Sequence, residues 1–317
     1  MNRFIAMLLS AVLLPAVAAA VVRSSAALPA GVLASAPARI NPVGQIVVPV
    51  RIDGQGPFPF LVDTGADGSV VSPQLVKALH LTPVPGRPEQ VEGITGTEAL
   101  PSVLIKRLRV GQIVKRNLTM PICTSPVMTY LDGILGVAGF GPVRIAVDFR
   151  HERVSISRSG PGMLWGFLDI HAERTPGGLL MVPARVGGVR VEAVIDTGSP
   201  DTLGNFALRR ALRAERRLHA TTPIYGVTRQ VSLGATALAP NVILGPAAIE
   251  HLPIVYSNVP IFKEWHLESR PALIVGMDVL GRVDTLVLDY PRARIYILPA
   301  PPPVSMMLAA DFSAPGS

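Results

Sequence analysis

Two aspartates, Asp63 and Asp196, each close an apolar run and open an Asp-Thr-Gly turn. Phe60-Leu61-Val62-Asp63-Thr64-Gly65-Ala66 returns, 133 positions later, as Ala193-Val194-Ile195-Asp196-Thr197-Gly198-Ser199. A single Asp-Gly most often marks an ordinary turn. Two copies imply two carboxylates delivered to one place by two similar units. Like charges held that close cannot both ionise cheaply, so one keeps its proton near mid-range pH. The charged carboxylate can then take a proton from water while the protonated one polarises a carbonyl, with no metal and no covalent intermediate.

The flanks repeat with the motif. Val48-Pro49-Val50-Arg51-Ile52 precedes the first copy and Val182-Pro183-Ala184-Arg185-Val186 the second. Gly93-Ile94-Thr95 begins 30 residues after Asp63, and Gly226-Val227-Thr228 begins 30 residues after Asp196. Asp132-Gly133-Ile134-Leu135-Gly136 is answered by Ala272-Leu273-Ile274-Val275-Gly276. Each copy then closes on a strand, Val147-Asp148-Phe149 with Arg153-Val154 and Leu288-Asp289-Tyr290 with Arg294-Ile295. Landmarks in one order at one spacing predict a tandem duplication of a unit of roughly 110–120 residues, the size of a small domain.

Each turn residue has a physical task. Gly65 and Gly198 let the backbone bend and bring an N–H to the carboxylate. Thr64 and Thr197 are expected to bond across the twofold relation and lock the loops together. The following residue differs, Ala66 in one copy and Ser199 in the other. A hydroxyl donating to a carboxylate favours its charged form, so Ser199 is expected to hold the charge on Asp196 and leave the proton on Asp63.

The elements that carry these turns are predicted to be β. Among 317 residues, 49% are hydrophobic and 16% charged, with 29 Gly and 31 Pro breaking short Val/Ile/Leu runs. That texture is strands joined by many turns. Two helices are expected: one opened by Ser72-Pro73, and one capped by Asn205 that runs through Arg209, Arg210, Arg213, Arg216 and Arg217 to about Leu218. The net charge is a modest +7. No basic tract interleaves with aromatics, so nucleic acid is not the expected partner. The six histidines show no metal-ligand spacing, no Gly-x-Ser-x-Gly elbow supports serine chemistry, and no cofactor is expected. The lone Cys123 excludes an intrachain disulfide and reads as a small buried hydrophobe.

The start of the chain reads as an export signal over residues 1–20: Arg3, an apolar run from Phe4 to Val17, and small residues for cleavage. The alternative is an uncleaved anchor, although the run is short for a membrane span. Residues 21–43 are Ala/Pro-rich, a linker or a pro-segment. The lobes are expected at 44–158 and 177–299, joined by 159–176, with a disordered tail at 300–317.

The motif set resembles retropepsin-like and pepsin-like aspartic proteases. Asp63-Thr64-Gly65-Ala66-Asp67 is similar to the active-site loop of the retroviral branch, and Asp196-Thr197-Gly198-Ser199 to that of the pepsin-like branch. Ile134-Leu135-Gly136 and Ile274-Val275-Gly276 resemble the segment beneath that loop. The resemblance implies an all-β fold: two tandem barrel lobes forming an intramolecular pseudo-dimer around a central substrate cleft. It implies an aspartic endopeptidase with Asp63 and Asp196 catalytic and Thr64, Gly65, Ala66, Thr197, Gly198 and Ser199 supporting them. Gly93, Ile94, Thr95, Tyr225, Gly226 and Val227 fall where the family keeps the flaps that cover a peptide. The expected partner is a peptide or protein substrate. The expected state is a monomer, periplasmic or secreted, without stable membrane association after signal cleavage. The alternative is a catalytically silent peptide-binding protein on the same fold. The sequence departs from the family at the first flap, which lacks the pepsin-like tyrosine, and at Val137–Pro142, a Gly-rich stretch where a helix is expected.

Overall fold

The computed structural model describes residues 31–86, 88–137, 142–160, 164–175, 177–214, 220–245 and 247–300. The expected signal, most of the tail, and residues 138–141 of the Gly-rich stretch lie outside them.

The fold is nearly all β, as expected, and among the described residues it is built from two closed sheets, a third that joins them and a separate two-stranded hairpin. In the first lobe, Gln55–Asp63 is flanked by Ile46–Ile52, which pairs antiparallel, and by Gly133–Gly136, which pairs parallel. The order continues to Ser102–Val110 and Ile113–Pro121 on one side and Val70–Val71 on the other. A bridge between Val71 and Ile122 closes the ring. The second lobe repeats the scheme. Val189–Ile195 lies between Leu180–Val186, antiparallel, and Ala272–Val275, parallel. Here closure comes from pairing of Leu180–Val186 with Val231–Leu244.

Period-two burial explains why these runs are strands. Ile46, Val48, Val50 and Ile52 turn inward and are at most 1% exposed, while Arg51 between the last two faces water. The parallel pairing beneath each active loop is filled by a volume swap. Gly133 lies opposite Phe60 in the first lobe, and Leu273 opposite Ala193 in the second. A Cβ on Gly133 would fall 2.1 Å from the Phe60 ring, so one large and one small residue share each site.

The third sheet is made from the strands on which the two copies close. Val143–Asp148 pairs with Val283–Asp289, so the two terminal hairpins form one continuous sheet across the lobes. Two further strands extend it. Val32–Pro37, inside the Ala/Pro-rich segment expected as linker or pro-segment, pairs with Arg153–Arg158. Leu168–His171, inside the expected inter-lobe connection, pairs with Arg294–Pro299. Ala34 and Ala36 supply the buried face of the first strand. Alanine carries so little β signal that this alternation is faint in the sequence.

The helices are short. Pro73–Ala78 starts as expected, with the Ser72 hydroxyl accepting from the Leu75 N–H at 3.1 Å. Asn205 caps Phe206–Ala211, its side chain accepting from the Leu208 N–H at 2.8 Å. This helix ends at Ala211, and Arg216, Arg217 and Leu218 lie outside the described residues. Arg213 adopts a left-handed φ of 50°, a conformation that ends helices.

Candidate active site

The two Asp-Thr-Gly loops meet where the lobes face each other. Their contacts come in matched pairs. The Thr64 N–H donates to Thr197 Oγ1 at 3.1 Å, and the Thr197 N–H donates to Thr64 Oγ1 at 3.0 Å. Each hydroxyl then donates onward to a carbonyl of the opposite lobe: Thr64 to Ile195 at 3.1 Å and Thr197 to Val62 at 2.7 Å. The threonines thus lock the loops as expected, but they grip the opposite backbone rather than each other's hydroxyl. Both are buried, at 1% and 0% exposure. In these four bonds each threonine hydroxyl both accepts and donates, so both buried hydroxyls are satisfied.

The aspartates are held alike. The Gly65 N–H donates to Asp63 Oδ1 and the Gly198 N–H to Asp196 Oδ1, both at 2.8 Å. Each glycine also faces the other lobe's carboxylate. A Cβ on Gly65 would sit 2.4 Å from Asp196 Cγ, and one on Gly198 2.4 Å from Asp63 Cγ. No larger residue fits at either place without driving the carboxylates apart.

The two carboxyls are electrostatically unequal. Burial lifts Asp63 well above the usual carboxylate range, and the neighbouring Asp196 charge lifts it further. Asp196 is also raised by burial, but N–H groups of Gly198, Ser199 and Gly65 and a hydrogen bond from Asp63 all favour its charged form. Carboxyls raised together in this way share one proton as a pair. The hydroxyl expected to favour a charge on Asp196 does not reach it. The Ser199 hydroxyl donates to the Asp201 carbonyl at 2.7 Å, away from the dyad. Backbone amides do what the hydroxyl was expected to do.

A layer beneath the loops repeats as well. Ser69 and Thr202, each six residues after an aspartate, accept from the N–H of Gly136 and Gly276, both at 3.1 Å. In the second lobe Asp278 braces this layer, accepting from the Thr202 hydroxyl at 2.6 Å and from its N–H at 3.1 Å. The first lobe has Ala138 at the corresponding place in the sequence. The shared hydroxyl at the same offset was a signal the sequence offered. Gln45 offered none. Its amide donates to the Gly198 carbonyl at 2.5 Å, tying the first lobe's entry turn to the second lobe's active loop.

The segments expected as flaps are brought together, tip to tip. Glu89–Gly93 and Gly96–Leu100 form a hairpin whose tip is Ile94-Thr95. Gly226-Val227-Thr228 lies in the turn between Ala220–Tyr225 and Val231–Leu244. The hydroxyls of Thr95 and Thr228 are 2.9 Å apart and buried. A Cβ on Gly93 would fall 2.8 Å from Val227, and one on Gly226 2.7 Å from Ile94. Each tip also packs on the other lobe. Ile94 joins the apolar cluster that holds Val194, and Val227 joins the cluster that holds Leu61. Leu61 and Val194 each precede a dyad aspartate by two residues. Ser125 and Cys123 fasten the second tip, donating to the carbonyls of Gly226 at 2.5 Å and Val227 at 3.1 Å. Cys123 is buried, with its thiol pushed up by burial. Glu98 receives both the backbone N–H and the guanidinium of Arg229. Tyr225 stands apart, 46% exposed at a strand end. Among the described residues, no group of three or more His, Cys, Asp or Glu side chains could hold a metal ion.

Residues 48–138 match the family model described as aspartyl protease, a family of the retropepsin type. The matched stretch contains the Asp63 loop, the first flap and the Gly133–Gly136 strand. No curated protein matches the chain.

Proposed function

We propose that this chain is an aspartic endopeptidase in which Asp63 and Asp196 share one water. The observation that carries the reading is the reciprocal lattice at the junction, with each glycine against the opposite carboxylate and each threonine bonded into the opposite loop. Such a lattice fixes two carboxyls side by side, the arrangement that general acid–base hydrolysis requires. Asp196, charged, takes a proton from the water as its oxygen attacks the scissile carbonyl. Asp63, protonated, gives its proton to the carbonyl oxygen. The tetrahedral diol collapses as the amine leaves with a proton from the dyad, and the products are a carboxylic acid and an amine.

The flaps suggest the substrate. Their glycines and apolar tips suit an extended peptide lying under them, held by strand-like hydrogen bonds with apolar side chains beside the scissile bond. One chain supplies both aspartates, so the active form is a monomer and its specific activity is independent of dilution. Export to the periplasm or beyond, directed by the N-terminal run, completes the proposal.

The test is incubation of purified protein with a diverse peptide library, wild type beside Asp63→Ala, with cleavage sites read by mass spectrometry. Cleavage between apolar residues by wild type alone supports the reading. Peptide capture without cleavage would make the protein a binding module.

A further inference from the structure

The outer face of the first lobe gathers cations that the sequence scatters. Ile46–Ile52, Ser102–Val110 and Ile113–Pro121 are neighbours in one sheet. Arg51 lies directly opposite Arg109, and Arg107 directly opposite Arg116. All four are exposed, as is Lys106 beside them. The three strands contain no Asp, Glu or aromatic residue. Asp53, at the rim, spends a carboxylate oxygen on the Arg107 N–H at 2.6 Å. Arg51 and Arg109 reach only backbone carbonyls, of Gly54, Gly56 and Gly111. Among the described residues none of these cations forms a salt bridge.

Like charges directly across a strand pair are destabilising, and this face carries two such pairs. The second lobe carries one facing pair of its own, Arg185 with Arg190, but not these two: Arg185 lies opposite Ile243, and the place of the Arg107–Arg116 pair is taken by Asn241 opposite Glu250. Val231–Leu244, the counterpart of the arginine-rich strand, has no charged residue. Two apolar side chains stand among the cations, Leu104 at 45% and Val114 at 42% exposure.

We propose that this face docks the protein on an anionic lipid surface. The guanidinium groups match lipid phosphates in charge and geometry, and Leu104 and Val114 suit the apolar layer beneath the headgroups. Nucleic acid fits less well, because the face has no aromatic platform for bases. Docking of this kind is peripheral and reversed by salt. It runs against the sequence expectation of no stable membrane association, and it is independent of the proteolytic reading.

The experiment is co-sedimentation of the full chain with vesicles of phosphatidylcholine alone and of equal parts phosphatidylcholine and phosphatidylglycerol, at low and high salt. Affinity shared by both vesicle types reports the apolar N-terminal run and cancels in the comparison. The expected result is a preference for the anionic vesicles that vanishes at high salt. Arg107→Ser with Arg116→Ser should weaken it by roughly five-fold per arginine removed, with a thermal transition no lower than that of the wild type. Arg185→Ser with Arg190→Ser, on the second lobe, should leave it intact. No anionic preference, or equal loss from both pairs, overturns the proposal. Salt-sensitive binding of a double-stranded DNA fragment without vesicle preference overturns it as well, and reassigns the face to nucleic acid.

Discussion

The two lobes agree most closely where they touch and diverge as the distance from the dyad grows. At the junction, the contacts of Thr64 and Thr197 differ in length by at most 0.4 Å across the pseudo-twofold relation: 3.1 against 3.0 Å for the N–H bonds, 3.1 against 2.7 Å for the hydroxyl bonds. One layer down, Ser69 and Thr202 still play the same part, but only the second lobe adds a carboxylate, Asp278. In the shared sheet the matched aspartates part company. Asp289 is fully buried against Arg144 of the first lobe at 2.7 Å, while Asp148 meets an exposed His151. On the outer faces the first lobe carries the facing pairs Arg51 with Arg109 and Arg107 with Arg116, and the second carries Arg185 with Arg190. A site made by two chain segments constrains both, because a change in one must be answered across the interface. A surface facing water constrains neither.

The largest effect should come from the symmetric part. Asp63→Asn and Asp196→Asn should each lower kcat/KM by about 10⁴-fold or more, with the double variant scarcely worse, as for residues that act as one unit. Turnover retained by either single variant would break the symmetry and the mechanism with it. Next is the buried ion pair. Arg144→Ala strands the Asp289 carboxylate and should cost about 3–5 kcal/mol in urea unfolding. His151→Ala, at the matched but exposed pair, should cost no more than about 1 kcal/mol. Equal costs would show that burial does not separate the two lobes' aspartates.

The grip should give smaller and matching losses. Thr64→Val or Thr197→Val removes a hydroxyl and leaves a buried N–H and a carbonyl unpaired, for about 1–3 kcal/mol each. Calorimetry on the two variants side by side would show whether the junction is as symmetric in energy as in geometry. The raised Asp63 carboxyl makes a further prediction. Folding strengthens proton binding here, so its contribution to stability is full below the ordinary carboxylate pKa and is lost as pH rises through the raised value. Asp63→Asn removes that loss. Its Tm should exceed wild type at neutral pH, by about 2–4 °C for each 1 kcal/mol recovered, and the gap should close toward about pH 4. A Tm difference that does not change with pH would refute the assignment of the proton to Asp63. The smallest effect belongs to Ser199→Ala. With its hydroxyl turned to the Asp201 carbonyl, the acidic limb of the pH–rate profile should superimpose on wild type.

The sequence by itself determined the duplication, the two Asp-Thr-Gly turns and the all-β class. Each is written in contiguous residues whose types have one local use: Gly for a tight bend, Thr for a hydroxyl, Val and Ile for a pleated buried face. It also carried the caps Ser72 and Asn205, because a cap is a contact over three residues. What it could not carry are contacts between segments with no fixed offset. The shared sheet that recruits Val32–Pro37 and Leu168–His171, the Gln45 bond to Gly198, the crossed flap tips and the facing arginines all depend on which strands become neighbours. The direction of the Ser199 hydroxyl was open for a related reason: a rotamer is chosen by the nearest acceptor in space. Local chemistry fixes what a residue can do, and the tertiary structure decides which partner it does it with.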